Sequence, residues 1–254
     1  MADYNFLLPK KSIHIAIFTG GAYPDPSVTT MYWQTHIPQY VIAADSGLDT
    51  IRRYADFYAD RIDFTPQKIL GDFDSLSNKD ILIQYPAGIV ERFPSDKDWT
   101  DTELAFDRAY KIAEKQRAVP FITLVGGDGG RLDHLLAIYD TFSSVHHAQV
   151  WLLSSQALYY VADGTTVEIS HLTKDQTVSV ARTTVSRTGG TLVSNGLKWE
   201  SNVFRVEGMP SLSNRISDEY AESEKPVTIS AYGMPVLLII PYTAEVRFLL
   251  KENQ

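Results

Sequence analysis

Apolar and polar positions along the chain follow two regimes. In the first, short apolar runs at 13–18, 40–44, 68–70, 89–93, 121–125 and 149–153 have the length and composition of buried strands. Between them apolar residues recur at helical spacing: Ala105, Ala109, Ile112 and Ala113, then Leu132, Leu135, Leu136 and Tyr139. Strands alternating with helices predict an α/β fold, a mostly parallel sheet with flanking helices. From about residue 158 the helical period fades. β-Rich runs at 165–169, 177–181, 203–206, 227–231 and 246–250 are separated by segments of Gly, Asn, Ser and Pro. That pattern predicts a smaller antiparallel β-sandwich or barrel. The expected division is 1–155 and 156–254.

Composition narrows the chemistry. The chain has 254 residues, enough to bury a sizeable core, with 44% hydrophobic and 21% charged residues. Its net charge of −8 and lack of a basic run argue against nucleic-acid binding. With no cysteine, disulfides, thiolate zinc sites and cysteine nucleophiles are excluded. The N-terminus shows no basic region followed by an apolar run, and apolar runs such as 236–240 are too short to span a bilayer. The expectation is a cytosolic protein with no membrane partner.

The polar residues are informative by position. Nearly every first-half strand runs directly into glycine or a polar residue. Run 13–18 leads to Thr19-Gly20-Gly21, and 40–44 to Asp45-Ser46-Gly47. Run 68–70 leads to Gly71-Asp72-Phe73-Asp74-Ser75, and 89–93 to Pro94-Ser95-Asp96-Lys97-Asp98. Run 121–125 leads to Gly126-Gly127-Asp128-Gly129-Gly130-Arg131. In a parallel sheet these carboxyl ends share one edge, where ligands bind.

Asp45, Asp72, Asp74, Asp96, Asp98, Asp101 and Asp133 then gather on or near that edge. Clustered carboxylates raise one another's pKa values unless they point apart into water or hold cations. Single aspartates commonly serve loops and caps. Asp72 and Asp74 together, after a strand and beside glycine, suit Mg²⁺, which takes a few carboxylates plus phosphate oxygens. Thr100 and Glu103 form a capping-box pattern that opens a helix and fixes Asp101 in its first turn, as a further ligand. Lys97 is either a plain surface residue or a phosphate contact. Gly129 and Gly130 let backbone approach a ligand, the following helix offers free N–H groups, and Arg131 adds a fixed charge suited to phosphate. This is not the Walker pattern, which ends in Gly-Lys-Ser/Thr.

The ordered set of Asp45, Gly71-Asp72-Phe73-Asp74-Ser75, Asp98-Trp99-Thr100-Asp101, Gly129-Gly130-Arg131-Leu132-Asp133-His134, Gly196-Leu197-Lys198-Trp199 and Ser213-Asn214 resembles thiamine pyrophosphokinase. The resemblance runs from about residue 13 to about 240. It implies an α/β catalytic domain that binds ATP and Mg²⁺, then a β-sandwich that binds thiamine, in a homodimer whose thiamine site lies where one subunit's catalytic domain meets the partner's sandwich. By motif matching, Asp72, Asp74 and Asp101 would hold Mg²⁺, and Arg131 and Asp133 would contact the nucleotide region. Trp199 would stack on thiamine, with Ser213 and Asn214 helping to bind it. Asp45, Lys97, Gly129 and Gly130 belong to the expected ATP site, and Asp98 or Asp101 is the candidate proton acceptor.

Read without the family, Trp199 is a core residue of a β domain or a face for a flat cationic ring, and Ser213-Asn214 is a turn. The chain departs from the family pattern in having Asp45-Ser46-Gly47 for Asp-Gly-Gly and Arg215 after Ser213-Asn214. A pyrophosphokinase acting on a pterin alcohol, a non-catalytic nucleotide or metal sensor, and a structural dimer module are the rival readings.

Overall fold

The computed structural model describes residues 11–184, 190–200 and 211–249. They divide into two compact units, one within 10–154 and one within 155–254.

In the first unit, β1 (Ser12–Phe18), β2 (Tyr40–Ala44), β3 (Lys68–Gly71), β4 (Val90–Arg92), β5 (Val119–Val125) and β6 (Val150–Leu152) form parallel strands in the order β6-β5-β1-β2-β3-β4. Ile15, Ile17, Phe18, Ile42, Ile69, Leu70, Ile122 and Leu124 are all fully buried. Near-continuous burial along a strand is what a parallel sheet covered on both faces requires. Helices α1 (Thr30–Thr35), α2 (Gly47–Tyr58), α3 (Asp101–Gln116) and α4 (Leu132–Thr141) accompany it. α2 packs Leu48, Ile51, Tyr54 and Tyr58 inward; α3 packs Ala105, Phe106, Ala109 and Ala113. From β1 the chain runs one way through β2, β3 and β4, then returns to place β5 on β1's other side. The order therefore reverses between β1 and β5, and a crevice opens at such a point.

In the second unit every strand pair is antiparallel. One sheet has the order β11-β9-β13-β7: β11 (Ser211–Asn214), β9 (Val178–Arg182), β13 (Val236–Ile240) and β7 (Ala157–Val161). The other is β10 (Thr191–Asn195), β12 (Val227–Tyr232), β8 (Thr166–Ser170) and β14 (Glu245–Leu249). The Tyr159 ring on β7 lies 6.5 Å from Phe248 on β14, which sets the sheets face to face as a sandwich. A short helix, α5 (Asp218–Glu222), is capped by Ser217.

The predicted first-half strands all form, shifted by a residue or two at their ends. In the second half, β7, β10, β11 and β13 lie outside the predicted runs, and the run 203–206 falls outside the described residues. The apolar run 236–240 is the central strand β13, with Val236, Leu237 and Leu238 fully buried. No described helix is long and apolar enough to cross a membrane.

Candidate active site

Two strand ends and one helix start build the acidic centre. β2 ends at Ala44, and the next residue, Asp45, takes a left-handed backbone with φ 48°. Its N–H donates to Leu70 O of β3 at 2.8 Å. The close approach needs a glycine at 71: φ is +145°, and a Cβ there would sit 3.2 Å from Asp45 Cα and Cβ. After Gly71, Phe73 is fully buried with φ 63°, and the Arg92 guanidinium lies over its ring at 5.1 Å. The anchored ring holds Asp72 and Asp74 on either side. Asp72 Oδ1 accepts the Asp74 N–H at 3.1 Å, and Asp74 Oδ1 accepts the Ser75 hydroxyl at 2.8 Å. Asp101 comes from the start of α3. The capping box is formed: Glu103 N–H donates to Thr100 Oγ1 at 3.2 Å and Thr100 N–H to Glu103 Oε2 at 2.7 Å.

Among the described residues, Asp45, Asp72 and Asp101 each bring a carboxylate oxygen within 4.8 Å of the others. Asp74, two residues along the same turn, is exposed and lies outside that group. The structure thus groups Asp45, and not Asp74, with Asp72 and Asp101. A signal for it was present, an aspartate directly after a buried strand, but the left-handed turn that aims it is a property of the backbone.

The electrostatics match the geometry. Burial pushes the Asp45 and Asp101 carboxyls above their usual range, and neighbouring aspartates add repulsion to both. Lys97 Nζ, 3.2 Å from Asp101 Oδ1, opposes the shift at Asp101. Asp74, bonded to Ser75, is held below its usual value. Asp45 Oδ1 is buried with no hydrogen-bond partner. An orphaned carboxylate oxygen among two more carboxylates is a hard oxygen donor set that suits Mg²⁺.

Beside the acidic centre lies a cleft of about 340 Å³, at the reversal between β1 and β5. Thr19, Gly20 and Gly21 form one wall, Gly127, Gly129, Gly130 and Arg131 another, and Asp45 and Asp101 reach in. Gly126 has φ +91°, and a Cβ there would meet Thr19 O at 2.6 Å. The two loops are tied by Gly127 N–H to Gly20 O at 2.8 Å and Ala22 N–H to Asp128 O at 2.5 Å. Asp128 also accepts from Gly129 N–H at 2.7 Å and from the Ser154 hydroxyl. The glycine-rich turn is thus fixed before any ligand arrives. Thr19 and Thr102, bonded through their hydroxyls at 2.7 Å, also line the cleft. The sequence placed Thr19 on the ligand edge but not its pairing with Thr102, because nothing in the chain order says that β1 and α3 meet there.

The other candidates scatter. Arg131 pairs with Asp133 at 2.5 Å, both exposed, which holds the Asp133 carboxyl down at about 2. His134 lines the cleft; Asp98 is exposed and outside the acidic group.

In the second unit, Asn214 is buried and grips the backbone of Trp199: its Oδ1 accepts the Trp199 N–H at 3.2 Å and its Nδ2 donates to Trp199 O at 2.7 Å. Trp199 is 56% exposed, which removes the core reading. Lys198 Nζ lies 5.6 Å and Arg215 Cζ 5.9 Å from its centroid. Ser213, with φ 53°, donates its N–H to Ser179 Oγ at 2.9 Å.

Known proteins agree with this architecture. The chain is similar in fold to thiamin pyrophosphokinase from Candida albicans (18% identity, 91% of this chain and 89% of that one, TM-score 0.64). It is similar also to those from Geobacillus thermodenitrificans (23%, 90% and 97%, TM-score 0.63) and yeast (16%, 92% and 87%, TM-score 0.61). No curated protein matches the chain. Residues 31–153, which contain Asp45, Asp72, Asp101 and the glycine-rich turn, match the family described as the thiamin pyrophosphokinase catalytic domain. Over that segment, the chain carries a domain similar to the thiamin pyrophosphokinase catalytic domain.

Proposed function

We propose that this enzyme transfers the pyrophosphoryl group of ATP to the thiamine hydroxyl, giving thiamine diphosphate and AMP. The observation that carries the reading is the acidic centre of Asp45, Asp72 and Asp101 opening onto a glycine-walled cleft at the strand-order reversal. ATP belongs in that cleft. The glycines of the 126–130 turn let the backbone lie close to a ligand, and the Arg131 guanidinium suits phosphate oxygens. Asp45, Asp72 and Asp101, with Asp74 beside them, would hold Mg²⁺. Bound there, the ion supplies charge neutralisation to the phosphates. The chain's own part is positioning: pyrophosphoryl transfer needs the hydroxyl oxygen in line with the β-phosphorus and the AMP oxygen. The exposed Trp199 face, held by Asn214, suits a flat ring. Homodimer formation and a cytoplasmic location complete the reading, and Leu132 and Leu136, exposed on α4, are apolar surface available to a second subunit.

Incubation of the purified protein with ATP, Mg²⁺ and thiamine tests this, with nucleotides and thiamine species separated afterwards. The expected products are AMP and thiamine diphosphate in equal amounts. ADP with thiamine monophosphate would mean attack on the γ-phosphorus. AMP formed with a pterin alcohol and not with thiamine would move the assignment to that rival. Nucleotide binding without turnover on either acceptor would favour a sensor.

A further inference from the structure

Lys97 is the one cation that contacts the acidic centre among the described residues. Its Nζ lies 3.2 Å from Asp101 Oδ1 and donates to Pro94 O at 3.2 Å. Its side chain is 15% exposed, so its ammonium is mostly withdrawn from solvent. The same Asp101 carboxylate lies within reach of Asp45 and Asp72 and lines the cleft. We propose that Lys97 competes with the divalent cation for Asp101 and moves to nucleotide phosphate when ATP enters the cleft, so that metal and nucleotide bind cooperatively. The proposal rests on the metal and ATP reading of the site.

The physics is direct. An ammonium and a divalent cation on one carboxylate repel each other, and each weakens the other's hold. The four-carbon stem of lysine lets the ammonium exchange one anion for another without moving the backbone. The polyphosphate of ATP in the adjoining cleft is a denser negative charge than Asp101. Once Lys97 pairs with phosphate, Asp101 is freed for the metal. Coupling of this kind is reciprocal: metal tightens nucleotide by the same factor that nucleotide tightens metal.

The test is a titration with Mn²⁺ followed by electron paramagnetic resonance, alone and with α,β-methylene ATP, in which the bond cleaved in the reaction is blocked. Wild-type protein should bind Mn²⁺ several-fold tighter with the analogue than without it. In Lys97→Met, Mn²⁺ should bind roughly fivefold tighter than wild type in the absence of nucleotide, and the analogue should tighten it by a correspondingly smaller factor than in wild type. Lys97→Arg should restore the wild-type pattern. Circular dichroism melting shows whether the variants fold. Equal or weaker Mn²⁺ affinity in folded Lys97→Met would overturn the proposal while leaving the metal reading intact. So would wild-type Mn²⁺ affinity that ignores the analogue, a result that needs no variant. Absence of saturable Mn²⁺ binding to any form would overturn both.

Discussion

At the scale of single residues, Asp45 separates function from stability. Its carboxylate is half-buried, repelled by its neighbours and mounted on a left-handed backbone. Such strain persists where a site needs it. Asp45→Asn should therefore lower kcat by about a hundredfold or more at saturating Mg²⁺ and leave the melting temperature equal or higher. Steady-state kinetics beside a thermal melt measures both; a stability loss with near-normal turnover would place Asp45 among structural residues. Asp74→Asn gives the comparison, and the geometry expects it to cost no more than Asp45→Asn. Trp199 and Arg215 form a second residue-level case. Trp199→Ala should raise the thiamine KM roughly tenfold while moving the ATP KM little. Arg215 places a cation 5.9 Å from the ring that a thiazolium-bearing substrate would use. Arg215→Ser should lower the thiamine KM about two- to fivefold; an increase would show that the guanidinium helps to hold the substrate.

At the scale of elements, the start of α3 performs two tasks at once. The capping box satisfies the first free N–H groups of the helix and aims Asp101 at Asp45 and Asp72. Thr100→Ala should cost about 1 kcal/mol of stability in denaturant unfolding. It should also weaken Mn²⁺ binding, because Asp101 sits on the turn that frays; a stability loss with unchanged metal affinity would show that Asp101 is placed by β-strand packing alone. The capping box was readable in four consecutive residues because its hydrogen bonds are local. The first-half strands and the helices α3 and α4 were readable for a related reason: full burial leaves an uninterrupted apolar run, and a one-sided helix leaves a 3.6-residue period. The sandwich strands were harder. In β10 only alternate residues are buried, and such a short mixed run looks like loop.

At the scale of the whole molecule, a cluster of rings ties pH to stability. His14 is walled by Trp33, His36 and Phe121, with Nε2 2.8 Å from Thr123 Oγ1. Desolvation, reinforced by His36, pulls the His14 pKa down to about 3, and desolvation lowers His36 as well. In both, the folded pKa lies below the unfolded value of about 6.5. Below that value the unfolded chain takes up protons that the folded one refuses. Stability from the pair is therefore complete above about pH 6.5 and falls as the pH drops toward 3, at up to about 1.4 kcal/mol per pH unit for each proton. Melting temperatures from pH 7.5 to 4 should fall steeply below 6.5, and His14→Gln should flatten the slope by about one proton. An unchanged slope would assign the acid sensitivity to other groups.

What the sequence determined by itself was whatever lies close along the chain: apolar runs long enough to be buried strands, helical periods, a capping box, and polar residues at strand ends. From these followed the α/β class, the acidic edge and the family resemblance. What only the tertiary structure decided was which of those residues meet. Asp45 follows β2, Asp72 follows β3, and Asp101 opens a helix that comes after β4, yet their carboxylates lie within 4.8 Å. Asp72 and Asp74 stand two residues apart, and only Asp72 joins them. Strand order, which is set by non-local pairing, brings those two strand ends and the helix start together, and a left-handed turn at Asp45 and another at Phe73 choose which carboxylates point inward.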